Sequence, residues 1–284
     1  MSGGNDRGFT LIELVVAISI SAVLVSFMAT FITMPMQAYF AQSRRTTLVA
    51  SADTALRMIA NDVHTALPNS VRLVNNGSVV GIELLTTIDV VGYRDAQGSP
   101  DAKGVDFNIP DQNFSTMGTF RSLVIPAADY LSIGNAGTPG QDAYELAHVI
   151  TPVGTTITAT ANITNAGQDD VSLSSAVTFR FPSPTHHMFL VSGPIAYLCD
   201  GSTQTLTRFS GYAISATTTG YTAGLLYANG ATSALAARNV ASCQIDIVAP
   251  GSAPQGQLII LRLLLSLGGD NLQLIREMPV DNIP

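Results

Sequence analysis

Charge is scarce in this chain. Of 284 residues, Asp, Glu, Lys and Arg make up 12%, against about 25% in an ordinary soluble domain. Lys103 is the one lysine among thirteen basic residues, and twenty acidic ones leave a formal net charge of −7. Without a basic footprint the chain cannot neutralise a phosphate backbone, which removes nucleic acid as a main ligand. Global disorder is excluded too, because it needs high charge and few apolar residues, whereas 46% of this chain is hydrophobic. Glycine and proline number 24 and 14, close to their usual share, so no collagen-like or low-complexity reading is available. Cysteine is limited to Cys199 and Cys243. At this length one or two domains fit, and a core can bury most of the unfolded surface.

Catalytic motifs are also missing. The chain holds no GxSxG elbow, HExxH, phosphate loop or dinucleotide fingerprint, and the glycine-rich run from Gly134 to Gly140 lacks the lysine that a phosphate loop uses. Four histidines occur. His64 falls near an expected helix end, His148 in an expected strand, and His186 and His187 are adjacent. Neighbouring residues on a strand point to opposite faces, so this pair does not read as a metal site. An enzyme is not expected, and no cofactor is called for.

What is abundant is apolarity, and it is concentrated near the amino terminus. Phe9 to Met34 is interrupted only by Glu13. As a helix this run is about 39 Å long, enough to cross a hydrocarbon core of about 30 Å. A removable signal peptide fits less well, because the apolar run is too long, the first residues are not clearly basic and no A-x-A follows. Glu13 is the anomaly. A carboxylate inside a span costs roughly 2.5 to 3.5 kcal/mol on insertion scales, so it calls for a partner.

The string Arg7-Gly8-Phe9-Thr10-Leu11-Ile12-Glu13-Leu14 resembles the processing site of type IV pilins and of the pseudopilins of type II secretion systems. The resemblance implies a leader of residues 1–8, cleavage between Gly8 and Phe9 by a membrane-embedded prepilin peptidase, and N-methylation of Phe9. Glu13 becomes the fifth residue of the mature chain and is expected to pair with the new α-ammonium of a neighbouring subunit during assembly. It further implies a single-pass inner-membrane protein with its carboxy-terminal domain in the periplasm and, once assembled, in the pilus. Counting Lys and Arg alone favours the opposite orientation, since Arg44 and Arg45 follow the span and only Arg7 precedes it. The cleavage motif overrides that count, because the leader must face the cytoplasmic peptidase.

Beyond the span, Leu48, Ala52, Leu56, Ile59, Val63 and Leu67 recur at intervals of three or four. They predict an amphipathic stalk over 35–67 that continues the membrane helix of 9–34, with a kink at Pro35 and a stop near Ala66 or Leu67 before Pro68. From 68 to 284 the pattern changes to short runs rich in Val, Ile, Thr, Leu and Tyr. Strands are expected at Val71–Val74, Ser78–Leu85, Thr86–Arg94, Phe120–Ile125, Thr155–Ile163, Val177–Phe181, Met188–Leu198, Val240–Val248, Gln257–Leu267 and Asn271–Met278. Asn75-Asn76-Gly77 marks a hairpin turn, and Leu258–Leu267 reads as a strand buried on both faces. Asp95–Gln112 and Gly134–Gly140 read as loops. The fold class is α+β: one long amino-terminal helix and an antiparallel β-rich, pilin-like domain.

A second, narrower resemblance rests on Val191-Ser-Gly-Pro194, Tyr197-Leu-Cys199-Asp200-Gly201, Leu206-Thr-Arg208-Phe209-Ser-Gly211-Tyr212, Cys243 and the terminal Val280-Asp281-Asn282-Ile283-Pro284. These pieces look like the MshO family, the minor pilin-like proteins of the mannose-sensitive haemagglutinin (MSHA) pilus biogenesis system. Its expected partners are prepilin peptidase, other minor pilins, the major pilin and the inner membrane. PilW-type minor pilins and J-type pseudopilins share the amino-terminal features, and an anchored periplasmic hydrolase or binding module is the reading from another class. In an oxidising periplasm Cys199 and Cys243 are expected to form a disulfide, with a free or metal-binding pair as the alternative. Asp95, Asp101, Asp106, Asp111, Asp169 and Asp170 could offer oxygens to calcium, as in some pseudopilins. Their spacing fits no EF-hand, and they read as solvated loop carboxylates.

Overall fold

A computed structural model describes residues 8, 10–96, 103–127, 129–248 and 256–280; Phe9, residues 1–7 of the expected leader, Asp101 and 281–284 lie outside the described residues. The long apolar run and the amphipathic stretch form one continuous helix, α1 (Leu11–His64), with Pro35 inside it. It begins at Thr10, an N-cap in extended conformation, and ends at Thr65, slightly earlier than the position of Pro68 suggests. Along the apolar half, Ser19, Ser26 and Thr33 donate their hydroxyls to carbonyls four residues back, at 2.8 to 2.9 Å. These three hydroxyls are thereby satisfied within the helix, as a hydrocarbon environment requires.

The second half of α1 packs on the β-domain through Leu48, Ala52, Ala55, Leu56, Ile59 and Val63, all buried. This is the face that the three-and-four spacing predicts, with Ala55 added. Its small residues let the backbone approach the sheets closely. Opposite it stand two antiparallel sheets. The larger contains β1 (Arg72–Asn76), β2 (Val79–Tyr93), β3 (Asp111–Met117), β4 (Tyr130–Ile133), β5 (Ile157–Ala161), β6 (Asp169–Val177), β7 (His187–Asp200), β8 (Thr205–Ser210) and β9 (Thr232–Arg238). Its main path runs β5-β6-β3-β2-β7-β8-β9. The smaller sheet is β10 (Val240–Val248), β11 (Gln257–Leu267) and β12 (Asp270–Val280), and a short helix, α2 (Ala223–Ala228), lies between β8 and β9.

The structure corrects several expectations. Ser78–Leu85 and Thr86–Arg94 are one fifteen-residue strand, β2, whose register against β7 shifts twice around Thr87. Phe120–Ile125 is not a strand, because Phe120 donates its backbone N–H to Asp169 at 2.7 Å rather than to a ladder partner. Val177 ends β6 instead of opening a strand, and Asp111 and Gln112, assigned to a loop, begin β3. On β11 only Ile259, Leu261, Leu263 and Leu265 are buried; Leu258, Ile260, Arg262 and Leu264 on the other face are half-buried, so the strand has one core face and not two. His148 lies outside the strands with φ +60°.

Cys199 and Cys243 are bonded, with a Cα–Cα distance of 6.3 Å, inside the usual range for a bridge. The bond joins β7 of the large sheet to β10 of the small one, across the core that seats α1. The intervening segment carries β8, α2 and β9 and buries Leu206, Phe209 and Ala237 of its own. Closing a loop with a sequence separation of 44 contributes roughly 4 kcal/mol by chain entropy. Replacing either cysteine by serine is therefore expected to lower stability by about 2 to 5 kcal/mol. Hydrogen exchange should rise first in the small sheet, where the constraint is lost; unchanged exchange in β10–β12 would contradict this assignment.

Candidate functional site

The site built from the amino-terminal motif is simple. Gly8 is exposed, and a Cβ added to it would meet nothing within 4 Å. The fold therefore places no demand for glycine there. Thr10 caps the helix: the Glu13 backbone N–H donates to Thr10 Oγ1 at 3.4 Å, and the Thr10 hydroxyl donates to Glu13 Oε2 at 3.4 Å. A carboxylate in the first turn also suits the positive end of the helix dipole. Among the described residues the partner of the Glu13 side chain is Thr10, and no cation pairs with it. From Leu11 to Phe40 large apolar side chains are exposed all around the helix. Its most apolar window has a mean hydropathy of 2.5, with none of it buried in the protein. This helix is long and apolar enough to cross a membrane.

The other predicted candidates do not converge. His186 lies 3.4 Å from Asp95, while His187 bonds to Thr185 and His64 ends α1. Asp106 and Asp111 accept nearby backbone N–H groups, those of Asn108 and Gln112. Asp169 is buried on the Phe120 N–H. Asp170 accepts from Ser115 at 2.5 Å, Asn162 at 3.0 Å and Lys103 at 3.4 Å, and those hydrogen bonds, led by Ser115, hold its carboxyl below the ordinary range. Among the described residues no group of three or more His, Cys, Asp or Glu side chains is placed to share a metal ion.

Two polar networks went unread in the sequence. Glu83 of β2 is fully buried, and Arg72 of β1 donates Nε to its Oε2 at 2.6 Å. Tyr212 and Tyr221 donate their hydroxyls to Oε1 at 2.8 and 3.0 Å. The same guanidinium donates to the carbonyls of Ser215 and Ala216 and stacks 3.4 Å from the Tyr144 ring centroid. Burial pushes the Glu83 carboxyl above its ordinary value, against the opposing pull of Arg72 and the two hydroxyls. The second network fixes α1: Tyr197 and Arg208 both donate to Asp62 Oδ2, at 2.6 and 2.7 Å. A signal for the first was present, because pairing across the turn at Gly77 puts Arg72 opposite Glu83.

An amino-terminal helix long and apolar enough to cross a membrane, seated by its second half in an antiparallel β-domain, defines a pilin-like α+β architecture. Residues 4–29 match the family model described as the Prokaryotic N-terminal methylation motif. The match supports a type IV pilin-family protein, and it implies processing by prepilin peptidase and association with pilus components. No curated protein and no solved structure matches the chain.

Proposed function

We propose that this chain is a minor pilin of an MSHA-like type IV pilus, of the MshO kind, which acts in assembly by priming or capping the filament and performs no catalysis. The methylation motif at the head of a spanning helix carries this reading. In it prepilin peptidase cuts between Gly8 and Phe9, Phe9 is N-methylated, and the β-domain lies in the periplasm. Glycine at position 8 is unexplained by the fold, and recognition by a peptidase supplies the reason for it. The narrower resemblance to MshO falls on residues that seat the helix. Tyr197 and Arg208 hold Asp62 of α1, and Cys199 bonds Cys243 within the cluster that packs on the helix. A subunit whose stalk must bear load between neighbours needs such attachment.

Gly8→Arg is the test. In cells that contain prepilin peptidase, the variant is expected to accumulate in the membrane as an uncut precursor and to be missing from sheared filaments. Normal processing of the variant would remove the proposed cleavage site, and normal incorporation of an uncut form would remove the link between cleavage and assembly.

A further inference from the structure

Arg44 and Arg45 are unexplained by the amino-terminal motif. They follow the span, on the side where arginine is usually scarce. The fold puts them at the end of the exposed apolar surface of α1, which runs past Pro35 through Met36, Tyr39 and Phe40. Full burial against the β-domain begins only at Leu48. From Glu13 to Tyr39 the helix rises about 39 Å, close to the thickness of a bilayer with its headgroup regions, about 40 to 45 Å. With Glu13 at one surface, Tyr39 stands at the other, the depth at which exposed tyrosine gathers in membrane proteins. Arg44 and Arg45 follow after about one and a half turns. Helical side chains lean toward the amino terminus, so these two lean back toward the headgroups.

A single carboxylate serves both arginines. The β11–β12 hairpin turns at Gly268 and Gly269, both at positive φ, and Asp270 follows. A Cβ on Gly268 would come within 3.1 Å of Arg44 Cδ, so glycine lets the arginine stem lie across the turn. Arg44 Nε donates to Asp270 Oδ2 at 3.0 Å, and Arg45 Nε lies 3.6 Å from Oδ1. The Asp270 side chain is thereby engaged and mostly covered, whereas that of Arg45 stays 69% exposed. Among the described residues no other carboxylate pairs with either arginine, and Asp53, further along the helix, is held by Arg57 at 2.8 Å. One positive charge is left over at this point of a chain whose net charge is −7.

We infer that Arg45, with Arg44 and the hairpin turn beside it, binds the phosphate of an anionic phospholipid in the leaflet through which α1 leaves the membrane. The inference rests on the reading proposed above, in which α1 crosses the membrane with the β-domain beyond it. A guanidinium suits the ligand, because its planar fork can donate two parallel hydrogen bonds to phosphate oxygens. Charge selects the headgroup. A zwitterionic lipid brings its own cation to offset the phosphate, while an anionic one meets the surplus positive charge uncompensated. Asp270 cannot supply that balance, since both of its oxygens already face the arginine pair.

The chain has no tryptophan, so Phe40→Trp, at an exposed position about one turn before Arg44, supplies a fluorophore whose quenching reports which lipid touches this end of the span. The full-length variant is placed in nanodiscs of mixed phosphatidylcholine and phosphatidylglycerol, with brominated chains on one lipid or on the other. Phosphatidylglycerol is expected to occupy the contact about fivefold beyond its mole fraction, the scale of one basic side chain at an anionic surface. Adding Arg45→Gln should bring the ratio near unity, and Arg45→Lys should keep part of the preference. Arg57→Gln, which removes a positive charge about 18 Å further along the helix, should leave it unchanged. Equal quenching by the two lipids before any arginine is altered, or a preference that Arg45→Gln leaves intact, would overturn the inference while the spanning helix stands. Quenching by neither lipid would overturn the spanning reading and the inference with it.

Discussion

Arg72→Ala is expected to destabilise the protein by about 3 to 5 kcal/mol, the usual consequence of removing one partner from a buried ion pair. Glu83 has no exposed surface to which water could return. Its Oε2 would lose the guanidinium, while Oε1 would keep the hydroxyls of Tyr212 and Tyr221. The carbonyls of Ser215 and Ala216 would lose their donor at the same time. Arg72→Lys should recover little, since one ammonium cannot reach the carboxylate and both carbonyls and also lie flat on Tyr144. The double change Arg72→Met with Glu83→Leu should recover most of the loss, because no charge then remains buried.

This deficit should depend on pH with a definite sign. Burial raises the Glu83 carboxyl above its ordinary value. The folded state therefore holds this proton more tightly than the unfolded state, and stability from this group falls as pH rises from the ordinary carboxylate range through the raised value. Removing Arg72 takes away a pull toward the charged form and raises the carboxyl further. The variant should then be neutral at Glu83 in mild acid, and its deficit should be smaller near pH 5 than near pH 8. Denaturant unfolding at both pH values measures this, and an equal deficit at both would show that Glu83 is not the group left stranded.

Glu13→Ala has the other large expected effect, and it lies in assembly. The substitution removes a carboxylate from an apolar span, so membrane insertion should be at least as favourable as before. Gly8 and the helix are untouched, so cleavage should proceed. The Thr10 cap keeps its backbone contact with residue 13, because the N–H remains. What is lost is the one Asp, Glu, Lys or Arg side chain between Leu11 and Arg44, the proposed counter-charge to a neighbour's α-ammonium. Mature protein should accumulate in the membrane while its share in sheared filaments falls to background. Wild-type incorporation would leave Glu13 without an intermolecular role.

The parts legible in the sequence are those where one physical signal dominates. The spacing of Leu48 to Val63 fixed which face of α1 is buried, since no polar residue interrupts that stripe. β10 and β11 have the expected bounds, because their branched and leucine-rich runs are flanked by turn residues. Of the strands that were missed, β3 and β6 are polar. β3 reads Asp-Gln-Asn-Phe-Ser-Thr-Met and β6 reads Asp-Asp-Val-Ser-Leu-Ser-Ser-Ala-Val. In each, one face carries few core residues, and pairing with the neighbouring strand supplies what side-chain preference does not. β9, with Ala-Leu-Ala-Ala at its centre, has helix-forming composition and is held extended by its ladder to β8. The amino-terminal methylation motif was legible because it is a run of consecutive residues, and residues 4–29 match it. The Glu83 network was not, because it depends on Tyr212 and Tyr221, which arrive from far along the chain.

The central claim is that the chain is cut after Gly8 and enters an assembly as a methylated subunit. Intact mass and terminal sequencing of the protein, recovered from the membrane of a cell containing prepilin peptidase, test it most directly. A mature form beginning at N-methyl-Phe9 is the predicted result. A chain that still begins at Met1, or one cut elsewhere with an unmethylated end, would contradict it.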